Sequence, residues 1–133
     1  MIDTKGYTYF AIKTEDDHLG LHHFDKYLSI KPTRFQKKFE RGQIPKSTTW
    51  EYSSGDSINP FYFDEIEKLI GILEPHKEEF KLFKANCKDI YFVLEVVIFL
   101  GDNSPGLSFS RKTMNFLNSA FPPLPVFFTC KVR

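Results

Sequence analysis

Apolar and polar residues alternate from Tyr7 to Lys13, with Thr8, Phe10 and Ile12 on one side and Tyr7, Tyr9 and Ala11 on the other. This two-residue period in a β-rich stretch predicts a strand. After the acidic turn Glu15-Asp16-Asp17, the apolar spacing lengthens: Phe24, Tyr27 and Leu28 fit a short helix over His22 to Leu28. That helix must stop before Pro32, because the residue preceding proline is pushed out of the α region. Alternation returns from Thr33 to Arg41, with Phe35, Lys37 and Phe39 on one side, and predicts a second strand. A short third strand, Thr48 to Tyr52, carries Trp50, and the two form a hairpin.

Ser53 to Ser57 is expected to be a loop. Asn59 is a good N-cap and Pro60 suits the first helical position, so a long helix opens there with Phe63, Ile66, Ile70 and Leu73 on one face. Pro75 divides it from a second helical piece, to about Ala85, with Phe80 and Phe83 inward. Asp89 to Leu100 gives the strongest strand pattern, with Ile90, Phe92, Leu94, Val96, Ile98 and Leu100 all apolar on one side. A turn over Gly101 to Gly106 leads to a helix capped by Ser108 or Ser110, with Met114, Leu117 and Phe121 inward. Pro122, Pro123 and Pro125 end that helix, and a last strand from Val126 to Val132 turns Cys130 toward the core.

The resulting order, β-α-β-β-α-β-α-β, specifies an α+β fold: a single mixed, mostly antiparallel sheet with helices mainly on one face. At 133 residues one domain is expected over the whole chain. Aromatic residues make up 17%, with 15 Phe, so large flat rings must dominate the packing. The start of the chain lacks an apolar signal region, and no apolar run reaches the roughly 20 residues that span a bilayer. A cytoplasmic protein without membrane contact is expected. Cys87 and Cys130 lie outside any CxxC spacing, which argues against a disulfide framework and a thiolate zinc site.

Several segments together, Tyr7 to Ile12, the Leu28-Ser29-Ile30-Lys31-Pro32-Thr33 run, Gly42, Trp50-Glu51 and the Pro105-Gly106-Leu107-Ser108-Phe109-Ser110 run, resemble the bacterial family called domain of unknown function 4279. Lys31-Pro32-Thr33 and Trp50-Glu51 are the most specific parts. The resemblance runs from about Tyr7 to Val132 and implies neither an activity nor catalytic residues. This sequence departs from the family pattern at Ala120, where a glycine is expected, and in a last strand that holds no acid.

Candidate chemistry is sparse. His18 and His22 are four apart, but Gly20 lies between them and the helical pattern starts only at His22, so a solvated helix entrance is favoured over a metal site. Glu95 is flanked by Val93 and Val97 on its strand face. A covered face there makes it a general acid or base; an open face pairs it with Lys13 or Lys131, the favoured reading. The sequence contains neither a GxSxG elbow nor a phosphate-binding glycine loop. No catalytic residue, metal or cofactor is therefore assigned, and an enzyme is unsupported.

Charge changes the picture more. The chain's net charge of +1 conceals six basic residues and one acid between Lys31 and Lys46, a local +5 set against −4 elsewhere. A basic hairpin interleaved with Phe35 and Phe39 fits three roles: protecting a sheet edge, holding an acidic protein surface, or following a nucleic-acid backbone. The sequence pI of about 7.8 falls short of a nucleic-acid footprint. The functional expectation is a small non-catalytic binding protein, an antidote or accessory module, that meets a protein partner through Arg34, Lys37, Lys38, Arg41 and Trp50. The alternatives are a nucleic-acid or small-ligand binder on the same hairpin and an enzyme centred on Glu95.

Overall fold

The computed structural model describes residues 2–58, 61–103, 109–119 and 126–132. Five strands, β1 (Lys5–Thr14), β2 (Arg34–Gln36), β3 (Thr48–Ile58), β4 (Ile90–Leu100) and β5 (Val126–Val132), form one mixed sheet in the order β2-β3-β1-β4-β5. All neighbours are antiparallel except β4 and β5, which run parallel. The helices are α1 (Leu21–Tyr27), α2 (Tyr62–Leu73), α3 (Lys77–Asn86) and α4 (Arg111–Ser119), with a 3₁₀ turn at Glu74–His76 between α2 and α3. The fold is α+β.

Side-chain parity explains the layering. Phe10 and Ile12 of β1, Trp50 of β3 and Phe92, Leu94, Val96 and Ile98 of β4 point to one side of the sheet and join the helix residues in one core. That core is aromatic. Phe80 of α3 lies 5.0 Å from Phe10, 6.4 Å from Trp50 and 6.2 Å from Phe92 between ring centroids. One turn later, Phe83 meets Phe24 edge-on at 5.0 Å and stacks on Tyr27 at 5.0 Å. These edge-on and tilted contacts suit the ring quadrupoles. Phe80 and Phe83 thus bind α3 to the sheet and to α1 from one helix face.

The alternating pattern overran one strand and stopped short on another. β2 has only three residues, because the chain turns at Lys38–Glu40 and Phe39 takes a left-handed φ of 60° that no strand accommodates. β3 extends to Ile58 through the stretch expected to be a loop, since β1 is long enough to pair with all of it. Its irregularity is absorbed by a bulge between the Tyr9–Ser53 and Tyr7–Asp56 pairs, where Gly55 has φ 106°.

Helix boundaries moved less. Phe61 is the N-cap of α2; the expected cap Asn59 and Pro60 lie outside the described residues, as do Ser108, Phe121 and the three prolines that follow it. Ser110 caps α4, accepting from the Thr113 N–H at 3.0 Å, and its hydroxyl also donates to Glu67 of α2. The inward face of α4 is Thr113, Phe116 and Leu117, so Met114, expected inside, is exposed. Cys130 is likewise exposed, because β5 is an edge strand.

The end of α1 is fastened to α3 by polar contacts. The Ser29 N–H and hydroxyl donate to the Glu79 carboxylate at 2.8 and 2.7 Å, and His76 Nδ1 lies 3.3 Å from the same group. Burial alone pushes the Glu79 pKa up, but the Ser29 donors and His76 outweigh it and hold the carboxyl below its ordinary value. A depressed carboxylate stabilises the fold above its unfolded pKa and loses that contribution as pH falls through the folded one. Glu79→Gln is therefore expected to cost about 1 kcal/mol near neutrality, with the gap to wild type closing below the ordinary carboxylate range in urea titrations at stepped pH. Phe80→Ala should cost far more, about 3–5 kcal/mol, by the same measurement.

Candidate functional site

The basic segment between β2 and β3 is where the structure departs most from the sequence expectation. Lys37 and Lys38 do not stand free. Lys37 Nζ donates to the carbonyls of Asp17 and Leu19, both at 2.7 Å, and Lys38 Nζ donates to the Glu15 carbonyl at 2.9 Å while lying 3.1 Å from the Asp17 carboxylate. The two lysines therefore clamp the acidic β1–α1 turn, and part of the +5 and −4 asymmetry is neutralised inside the molecule.

The clamp holds up a loop. Beyond Lys38 the chain closes on itself through Phe39 N–H to Pro45 O at 2.8 Å and Arg41 N–H to Ile44 O at 2.9 Å, with left-handed backbone at Phe39 and Gly42. At its base the Lys38 N–H donates to Thr48 Oγ1 at 2.9 Å. This framework presents Phe39 at 49% exposure and Ile44 at 53%, with Arg41 and Lys46 also exposed. Lys38 Nζ sits 4.9 Å from the Phe39 ring centroid, a cation–π contact that steadies the ring.

Trp50 is 0% exposed, wedged between Phe10 and Phe80. It anchors the core and is corrected out of the contact surface: its strand parity points it at the helices. Arg34 is exposed on the opposite sheet face, paired across strands with Glu51. Thus Arg34 and Arg41 are exposed, Arg41 lying 3.6 Å from the Glu40 carboxylate, Lys37 and Lys38 are tied to the turn, and Phe39, which alternation placed on a strand, stands exposed in a turn together with Ile44. The missed signal was conformational: periodicity does not reveal a left-handed phenylalanine.

The sheet face away from the helices carries Tyr7, Tyr9, Glu51, Glu95 and Thr129. Among the described residues Glu95 makes no ion pair with Lys13, and the Lys131 side chain lies outside those described. One carboxylate oxygen accepts from the Tyr9 hydroxyl and the other from Thr129 Oγ1 at 2.7 Å, so Glu95 stitches β1, β4 and β5 together. Burial, then the bond to Glu95 and its charge, push the Tyr9 phenol well above its usual range. His18 precedes α1 and does not share it with His22, whose ring lies 3.9 Å from that of His23. Among the described residues no group of three His, Cys, Asp or Glu is placed to hold a metal.

Glu51 on this face has its pKa raised, because burial outweighs the attraction of Arg34 and Lys13. For a carboxyl raised above its unfolded value, the folded state binds the proton more tightly, so stability is greatest in acid and declines as pH rises through the folded pKa. Glu51→Gln is expected to raise the thermal midpoint near neutrality, with the advantage vanishing in acid, as read by calorimetry across pH.

No curated protein and no solved structure matches the chain. The aromatic β1, the clamped turn, the Lys31-Pro32-Thr33 entry to β2 and the Trp50-centred core fall within residues 4–121, which match the family described as a domain of unknown function (DUF4279), and the chain belongs to that family.

Proposed function

We propose that this chain is a non-catalytic binding protein that holds a protein partner through the β2–β3 loop, with Phe39, Ile44 and Arg41 as its contacts and Arg34 as an outlying charge. The carrying observation is Phe39. A left-handed conformation costs a bulky residue about 1–3 kcal/mol, and a side chain left half in solvent regains little of that by burial. Such strain persists where the ring is needed outward, and the Lys37 and Lys38 clamp supplies the rigidity that lowers the entropic cost of binding. An exposed aromatic beside an arginine is also the composition of interface hot spots.

Glu95 supports the non-catalytic reading, since both its oxygens already accept hydroxyl donors. Cys87 and Cys130 are free thiols, in keeping with a reducing compartment such as the cytoplasm.

Phe39→Gly separates stability from function. The substitution relieves the backbone, so its thermal midpoint should equal or exceed that of wild type, while quantitative capture of the specific partner from native lysate falls at least tenfold. Arg41→Glu should weaken capture without altering the melt. Undiminished capture by both variants rejects the loop as the contact, and capture of nucleic acid that fades steeply with salt replaces the protein partner with a phosphate backbone.

A further inference from the structure

The bulge in β3 does more than bend the strand. Without it, the Tyr9–Ser53 pairing would continue to put Gly55 opposite Tyr7 and Ser57 opposite Lys5. The inserted residue inverts the parity, so Asp56 faces Tyr7 and Ile58 faces Lys5 on the side of the sheet away from the helices. Phe99 of β4 pairs with Lys5 from the other side. The bulge therefore exchanges a Gly/Ser surface for one with a carboxylate and a branched apolar side chain.

These residues line a slot of about 360 Å³, within the size range of small-molecule sites, with Tyr7, Ile58 and Phe99 as apolar walls. Ile58 is 64% exposed there, an apolar side chain the bulge directs outward. At the rim, Lys5 and Asp56 carry opposite charges on diagonal positions of adjacent strands, and the backbones of such diagonal pairs are about 7–8 Å apart. Neither takes part in an ion pair among the described residues. A ligand with one charge would engage one of them and leave the other in water. A ligand with a carboxylate and an ammonium on neighbouring atoms spans both, and its side chain enters the apolar walls.

We propose that this slot binds a small zwitterion with an apolar side chain, an α-amino acid, with Lys5 holding the carboxylate and Asp56 the ammonium. The site lies at the opposite end of β1 from the β2–β3 loop and does not rest on the partner reading.

The probe is L-leucine, titrated into the full chain and followed by the backbone amide resonances of Lys5, Gly6, Tyr7, Ser57 and Ile58. Saturable shifts confined to these amides are expected. Leucinamide, which lacks the carboxylate, should bind roughly tenfold more weakly and be indifferent to Lys5→Met; N-acetyl-leucine, which lacks the ammonium, should likewise weaken and be indifferent to Asp56→Asn. Both substitutions lie on exposed positions, and each variant's own spectrum reports that it is folded. Absence of saturation by L-leucine, shifts centred elsewhere, or equal binding of all three compounds overturns the proposal.

Discussion

The packing of Phe80 against Phe10, Trp50 and Phe92 is the interaction on which the rest of the structure depends. One face of the sheet receives the helices, so the apolar burial that opposes chain entropy is concentrated between that face and α1 to α4. Rings fill this single layer because they bring much area per residue and lose few rotamers. Phe83, on the same side of α3, extends the layer to α1 through Phe24 and Tyr27.

The other face, on which Ala11, Val93 and Val97 are also buried, does polar work. Tyr9, Glu95 and Thr129 form a hydroxyl–carboxylate–hydroxyl bridge across three strands. Such groups are tolerable there because each finds a partner. The β3 bulge acts on the same face. By inverting the parity of Asp56 and Ile58 it sets the character of the sheet's far end without touching the core.

Charge works inside the molecule before it works outside. Lys37 and Lys38 were the centre of the basic run, yet their ammonium groups satisfy backbone carbonyls of the β1–α1 turn, where the Asp17 carboxylate reinforces Lys38. A loop fastened in this way can hold Phe39 in a conformation that its own propensity disfavours. The linear charge pattern did not separate the outward-facing members of the segment from those that clamp the turn, because sequence distance hides which carbonyls a lysine can reach.

Residue order by itself determined the α+β plan, the order of strands and helices, the division of the helical region at Pro75 and the core parity of β1 and β4. These follow from short-range rules: periodicity, proline geometry and capping. It did not determine where β2 ends, how far β3 extends, or which aromatic residues stay outside, because those depend on partners distant along the chain. β3 is long because β1 lies beside it; Phe39 is outward because Lys37 and Lys38 find the β1–α1 turn; Trp50 is inward because its parity meets Phe80. The aromatic excess could be read from composition, but only the tertiary structure separated the rings that hold the core from those, Phe39 among them, that stand exposed.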